Sequence, residues 1–280
     1  MKAGLQRSAF FVIFADMTTA LIQNEIIWGD DTANRQHLNE LIAKAGARAN
    51  LYVLPEMFST GFATSETDAI ENEPCTTLEW MKSKAAELDA ALCGSIALRL
   101  GDGRCVNRMY FVYPDGRCVH YDKRHLFTYG GEHRRFSGGE QRVIVEYKGI
   151  RFLLAVCYDL RFPVWLRNRG DYDAMIIVAS WPESRRYAWD TLGRARAIEN
   201  QCFVLAVNRN GDDPNCSYNG GTALIGPKGE TIAAAEDGKE QVLVADMDIS
   251  GLKAFRASFP ALDDKDNFEI VPMFEIQIKL

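Results

Sequence analysis

The sequence has few of the residues that mark metal sites and disulfide frameworks. Its 280 residues include only four histidines, and its seven cysteines form no C-x-x-C pair. A structural zinc site requires clustered cysteine or histidine ligands, and a disulfide framework requires an even set of cysteines. The sequence therefore predicts no bound metal and a reducing, cytoplasmic setting.

A basic cluster is also absent. The chain has 32 basic and 38 acidic residues, which gives a net charge of −6. Proteins that bind nucleic acid or anionic membranes usually carry a positive patch opposite the phosphates. We therefore expect neither nucleic acid nor a membrane as a partner, and a small molecule or another protein instead.

Long hydrophobic runs are missing as well. The opening MKAGLQRSAFFVIFADM has an apolar run that is far too short to span a bilayer, and Asp16 stands where a signal peptide would have small residues for cleavage. We interpret residues 1–17 as a leader outside the folded domain. The alternatives are a translational start at Met17 and a signal peptide.

The remaining chain alternates between apolar strands and amphipathic helices, without a linker or a repeat. LYVLPE and DAMIIVAS are typical of buried strands, and TANRQHLNELIAKAGARAN of a helix with Thr32 as its N-cap. Two-stranded hairpins with glycine-containing turns indicate that the sheets are mixed rather than purely parallel. We predict one α/β domain over residues 18–280, with its sheets covered by helices.

Three reactive or charged residues follow buried strands directly: Glu56, Lys123 and Cys157. Each alone is typical of an ordinary position, a solvated loop charge or a small core residue. Together they suit nucleophilic catalysis, because a cysteine attacks as its thiolate and needs a base or a nearby cation. Lys123 and the backbone N–H of Tyr158 could stabilise the oxyanion that forms on an amide carbonyl.

The segments around these residues resemble a known family. LPEMFSTGF, YDKRHLF and CYDLRFPVW are similar to the Glu, Lys and Cys motifs of the nitrilase superfamily, the carbon–nitrogen hydrolases, in the same order. The resemblance extends from about Thr18 to Phe268. ASWPESRRYAW, RARAIENQ and VNRNG resemble the bacterial omega-amidase branch of that superfamily.

The resemblance implies a four-layer αββα sandwich, a homodimer and a cysteine hydrolase without a cofactor. It also implies that Glu56 is the general base, Lys123 the cation at the tetrahedral intermediate and Cys157 the nucleophile. Glu132 in GGEHRRFSGG matches a second glutamate that orients the lysine and the substrate, although Glu140 lies in the same glycine-rich stretch.

We therefore expect an amidase that hydrolyses the terminal amide of a 2-oxo dicarboxylic acid monoamide. Arg185, which follows Trp181 in WPESRR, is the candidate partner of the substrate carboxylate, and Trp181 is expected beside it in the substrate site. The alternative for Arg185 is a surface arginine at a helix start. The alternatives for the protein are a nitrilase or N-carbamoyl hydrolase, a thiol redox sensor that uses Cys157, or a catalytically inactive binding protein.

Overall fold

The computed structural model describes residues 17–46 and 48–270. The strands are β1 (Met17–Gln23), β2 (Leu51–Val53), β3 (Glu71–Asn72), β4 (Ala91–Arg99), β5 (Cys105–Val112), β6 (Cys118–Asp122), β7 (Ile144–Tyr147), β8 (Ile150–Val156), β9 (Ala174–Ala179), β10 (Phe203–Asn208), β11 (Asn210–Asp212), β12 (Ser217–Asn219), β13 (Ala223–Ile225), β14 (Thr231–Ala234) and β15 (Gln241–Met247). The α-helices are α1 (Asp31–Ala45), α2 (Thr76–Leu88), α3 (Pro163–Leu166), α4 (Arg186–Asn200) and α5 (Ile249–Ser258).

The strands form two large mixed sheets, as the hairpins predict. The first sheet has the order β15-β1-β2-β4-β5-β6, with β3 also paired to β4, and the second has the order β14-β13-β10-β9-β8-β7. The central pairs β1-β2, β2-β4, β8-β9 and β9-β10 are parallel, and the hairpin strands add antiparallel edges. Strands β11 and β12 form a separate hairpin.

The two sheets face each other across an apolar core, and helices cover their outer faces. Leu21 of β1 and Phe152 of β8 belong to one buried cluster between the sheets. Ile22 points to the other side of the first sheet, because side chains alternate along a strand, and clusters there with Leu38 of α1 and Met81 of α2. Helix α4 covers the second sheet. This arrangement confirms the predicted four-layer αββα class.

Helix α1 differs from its prediction at both ends. The N-cap is Asp30, whose side chain accepts a hydrogen bond from the Ala33 N–H, so the prediction that Thr32 caps the helix is wrong. The helix ends at Ala45 rather than near residue 50, because Gly46 adopts a left-handed conformation (φ 56°) that glycine tolerates without a steric cost.

The predicted leader lies almost wholly outside the described residues, which begin at Met17. Met17 itself is buried and is the first residue of β1. Within the described part of the chain, no helix is both long enough and apolar enough to span a membrane.

Candidate active site

Cys157 lies where β8 of the second sheet ends. It is the first residue of a 3₁₀ helix, Cys157–Arg161, and its φ of 47° lies in the left-handed region, which non-glycine residues seldom adopt. Cys157 is buried, with only 8% of the residue exposed. Backbone strain of this kind persists only where the surrounding structure enforces it, and it is common at functional sites.

The buried Asp159 carboxylate holds this turn in position. Its Oδ2 accepts hydrogen bonds from the Val156 N–H (3.0 Å) and the Tyr121 hydroxyl (2.7 Å), and its Oδ1 contacts both the backbone N (2.9 Å) and Nδ1 (2.8 Å) of His125. Tyr121 is in β6, and His125 is two residues beyond Lys123. Asp159 therefore ties the turn that carries Cys157 to the segment that carries Lys123.

Glu56, Lys123 and Glu132 form a charged cluster whose three residues are all 0% exposed. Lys123 Nζ donates to Glu56 Oε1 (2.8 Å) and to both carboxylate oxygens of Glu132 (3.1 and 2.9 Å). Glu132 Oε2 also accepts a hydrogen bond from the Phe127 N–H (2.6 Å). Glu132, not Glu140, is thus the glutamate of this glycine-rich stretch that contacts Lys123.

Glu56 also contacts the second sheet. Its Oε2 accepts a hydrogen bond from the backbone N–H of Ser180 (2.8 Å), which directly follows β9. The Cys157 thiol interacts electrostatically with Glu56, whose negative charge adds to the effect of burial and raises the pKa of the sulfur. The first sheet therefore supplies the charged groups, the second supplies the sulfur, and Glu56 joins the two.

Electrostatics in this cluster keep the sulfur protonated and the lysine charged. Burial, followed by the negative charge of Glu56, raises the pKa of the Cys157 thiol well above its usual value, while Lys123 opposes the rise. For Lys123, burial lowers the pKa, but the negative charges of Glu132 and Glu56, together with Cys157, outweigh burial and raise the pKa above its ordinary value. A thiolate at Cys157 therefore requires transfer of the proton to a base.

Burial raises the pKa of Glu132. The positive charge of Lys123 opposes this rise, and the negative charge of Glu56 adds to it. The cluster thus holds two carboxyl groups against one ammonium in an apolar setting. Such closely placed groups with opposed shifts are typical of sites that move protons.

A cavity of about 530 Å³ opens onto Cys157. Three predicted site residues line it: Tyr158, which was expected to supply the backbone N–H for the oxyanion, and Trp181 and Arg185, which were expected to bind the substrate. The Arg185 guanidinium lies 5.3 Å from the centre of the Phe127 ring, and among the described residues it has no hydrogen-bond or ion-pair partner. The Trp181 Nε1–H donates to the Arg185 carbonyl oxygen (2.8 Å), so the two are coupled through the backbone.

Sequence reasoning missed several residues of the site. Arg161 also lines the cavity, with its guanidinium 4.8 Å from the Trp181 ring centre. Arg134 lies at the exposed rim. Asn107 contacts both glutamates from within β5. The signal for Arg161 was its place within the cysteine motif CYDLRFPVW. The signal for Asn107 was a lone amide in a largely apolar strand.

All seven cysteines lie within the described residues, and none forms a disulfide. In that part of the chain no group of three or more histidine, cysteine, aspartate or glutamate side chains could hold a metal ion. His133, the residue after Glu132, is exposed.

Comparison with known proteins identifies the class. The family model described as carbon-nitrogen hydrolase matches residues 18–257. A crystal structure of a CN-hydrolase superfamily protein from Xanthomonas campestris, which has an arsenic adduct in its active site, superposes with a TM-score of 0.88 at 41% identity, covering 92% of this chain and 100% of that one. The protein belongs to the carbon–nitrogen hydrolase family, the nitrilase superfamily.

Curated relatives give a finer likeness. The chain is 45% identical to omega-amidase YafV of Yersinia enterocolitica over 89% of this chain and 96% of the relative. It is 33% identical to 2-oxoglutaramate amidase of Bacillus subtilis over 88% and 96%, respectively. The predicted resemblance to this family is therefore confirmed.

Proposed function

We propose that the protein is an omega-amidase, which hydrolyses the terminal amide of a 2-oxo dicarboxylic acid monoamide such as 2-oxoglutaramate or 2-oxosuccinamate. The observation that carries the proposal is the cavity itself. It joins a cysteine beside a Glu–Lys–Glu cluster to arginines whose guanidinium groups have no hydrogen-bond or ion-pair partner among the described residues, so one end suits an amide and the other a carboxylate. The names of the relatives described above support the same substrate class.

In the proposed acylation step, Glu56 takes the thiol proton of Cys157 as the sulfur attacks the amide carbon. The C=O π electrons move to oxygen, and the oxyanion is stabilised by Lys123 and the Tyr158 N–H. That N–H is the second of the 3₁₀ helix, where the helix itself offers no acceptor. Glu56 then returns the proton to nitrogen and the C–N bond breaks. Ammonia departs, and the acyl group remains on Cys157 as a thioester.

In the proposed hydrolysis step, Glu56 takes a proton from water while the water oxygen attacks the thioester carbon. The C–S bond then breaks, the sulfur recovers the proton from Glu56, and the acid product leaves. Lys123 remains an ammonium throughout, because both glutamates contact it, and Glu132 serves to hold it in place.

For substrate binding, we propose that Arg185 binds the far carboxylate and that Trp181 forms the adjoining wall. A guanidinium can hold a carboxylate through two parallel hydrogen bonds. Because no described residue forms a hydrogen bond or an ion pair with the Arg185 guanidinium, its N–H groups are available to a substrate carboxylate. Arg161 is the competing cation, since it also lines the cavity and its guanidinium packs against the Trp181 ring.

An ammonia-release screen tests the substrate class directly. We expect 2-oxoglutaramate and 2-oxosuccinamate to be hydrolysed with much higher kcat/KM than glutaramate, which lacks the 2-oxo group, or butyramide, which also lacks the carboxylate. Turnover of nitriles or N-carbamoyl amino acids without turnover of these amides would contradict the proposal and favour the other superfamily activities.

We further propose that the protein is a cytoplasmic homodimer. The seven free cysteines suit a reducing compartment, and α3 and α4 carry exposed apolar side chains, Val164, Tyr187 and Ile198, that a second copy could cover. An interface of about 1,600 Å² or more is expected. Light scattering at micromolar concentration should give twice the mass of one chain, and a monomer mass would contradict the dimer.

A further inference from the structure

Asn107 lies beside the charged cluster because of the register of β5 and β6. Arg108 pairs with Asp122, so Asn107 stands opposite Lys123, and the Lys123 N–H donates to the Asn107 carbonyl oxygen (3.0 Å). Residues directly opposite in an antiparallel pair present their side chains on the same face. The amide of Asn107 and the ammonium of Lys123 therefore enter the cluster together.

The Asn107 amide bridges the two glutamates. Its Nδ2 donates to Glu56 Oε1 (2.8 Å) and to Glu132 Oε1 (3.1 Å), the same two oxygens that accept from Lys123 Nζ. The reversed amide would set its oxygen against two carboxylate oxygens, so these partners determine the orientation. Asn107 Oδ1 is buried without a hydrogen-bond partner in the described structure, so the side chain is held through its donors alone.

The charges of the cluster explain why a neutral donor is needed. Two carboxylates face one ammonium, with the Cys157 thiol as the remaining titratable neighbour, while the N–H groups of Ser180 and Phe127 bind the outer carboxylate oxygens. The two inner oxygens, Glu56 Oε1 and Glu132 Oε1, repel each other, and without Asn107 the described structure would leave Lys123 to stabilise both. An amide adds two further hydrogen bonds without adding charge.

We propose that Asn107 is a positioning residue that keeps Glu56 and Glu132 ionised together around Lys123, so that the base is available at neutral and mildly acidic pH. The proposal rests on the proposed function in one respect, the role of Glu56 as a base. A hydrogen bond donated to a carboxylate favours its ionised form, so loss of the Asn107 donors must move ionisation of the pair to higher pH.

The test measures the pH dependence of Cys157 alkylation by iodoacetamide, followed by mass spectrometry of the labelled peptide. Alkylation forms an S–C bond, releases iodide and transfers the thiol proton to the base, so it reports on the cluster without requiring hydrolysis of a 2-oxo amide. In Asn107→Leu, which keeps the branching and the number of side-chain heavy atoms but removes both donors, we expect the acid limb of the profile to move up by about one pH unit. The acid limb of kcat/KM should move with it.

Asn200→Leu is the matched control. Asn200 is equally buried, but its side-chain hydrogen bonds go to Asn168, Arg196 and Glu199, away from the cluster. This variant should lower the melting temperature and leave the acid limb where it is. An acid limb in Asn107→Leu that stays within about 0.2 pH units of wild type would overturn the proposal, because a merely structural role lowers stability alone.

Asn107→Asp provides a second variant if the leucine substitution does not fold. A third carboxyl group beside the pair should move the acid limb up at least as far, and an unchanged limb would again overturn the proposal. The two hypotheses fail separately. A shifted alkylation profile without hydrolysis of 2-oxo amides contradicts only the proposed substrate, whereas an unshifted profile in an enzyme that hydrolyses them contradicts only the role of Asn107.

Discussion

The charged cluster and the cavity next to it differ in whether their charged groups have partners within the protein. Every charged group of the cluster has internal partners: Lys123 binds both glutamates, and Glu56 and Glu132 each bind further donors. Two arginines that line the cavity, Arg161 and Arg185, have guanidinium groups without a hydrogen bond or an ion pair to any described residue. A buried charge without partners is costly, so fully paired groups can be held rigidly in place, whereas half-exposed unpaired cations are available to a ligand.

The comparison predicts that chemistry depends on the cluster and the cysteine, and substrate selection on the arginines. Cys157→Ala should lower kcat by at least about 10,000-fold, because the thioester cannot form without the Cys157 sulfur. Ammonia release measures the loss. Cys216→Ala is the matched control, since Cys216 lines the same cavity and should keep activity within about threefold. Activity of Cys157→Ala within tenfold of wild type would remove the covalent mechanism.

Glu56→Gln and Lys123→Ala should each lower kcat by at least about a hundredfold, the scale for losing a general base or an oxyanion donor. Because both groups act in one sequence of steps, the double variant should lose far less than the product of the two single losses. Steady-state kinetics of the three variants provides the measurement. Fully multiplicative losses would mean that the two residues do not share one site.

Arg185→Met tests the prediction that the cavity arginines select the substrate. It should weaken kcat/KM for 2-oxoglutaramate by about 2–4 kcal/mol, the cost of breaking a buried charge pair, and leave butyramide hydrolysis nearly unchanged. Arg161→Met identifies which arginine binds the carboxylate, and Arg134→Met at the exposed rim is the control, with an effect of at most a few-fold. Equal losses of Arg185→Met on both substrates would show that it maintains the shape of the site.

Asp159 tests whether complete hydrogen bonding alone marks a catalytic role. Its carboxylate is fully bonded like the cluster, but its partners are Val156, Tyr121 and His125 rather than the reacting groups. Asp159→Asn should therefore lower kcat by only about tenfold, through displacement of Cys157, with little change in KM. Tyr121→Phe, which removes one of the four contacts, should have a smaller effect. A loss as large as that of Glu56→Gln would contradict this ranking.

The sequence was most informative where strands end in reactive residues. Glu56 and Cys157 each follow a buried apolar strand, whereas Lys123 follows the half-exposed edge strand β6, so the prediction of a buried strand before Lys123 is wrong. The convergence of the three residues agrees with the rule that ligands bind at strand ends. Asn107 and Asp159 were missed because their function depends on strand register and on long-range contacts, which hydrophobic periodicity does not encode. Helix α5 and the β11-β12 hairpin were missed for a related reason: both are short, and Asn210–Asp212 is too polar to be recognised as a strand.

The contact between Glu56 and Ser180 has a consequence for inactivation by denaturants. Because that hydrogen bond and the Cys157 thiol both join Glu56 to the opposite sheet, slippage of one sheet over the other by less than an ångström misaligns base and sulfur while each sheet keeps its own hydrogen bonds. In a urea titration, ammonia release should therefore fall before the far-ultraviolet circular dichroism signal changes. Residual activity in urea then reports on the packing of the two sheets against each other, before either sheet unfolds.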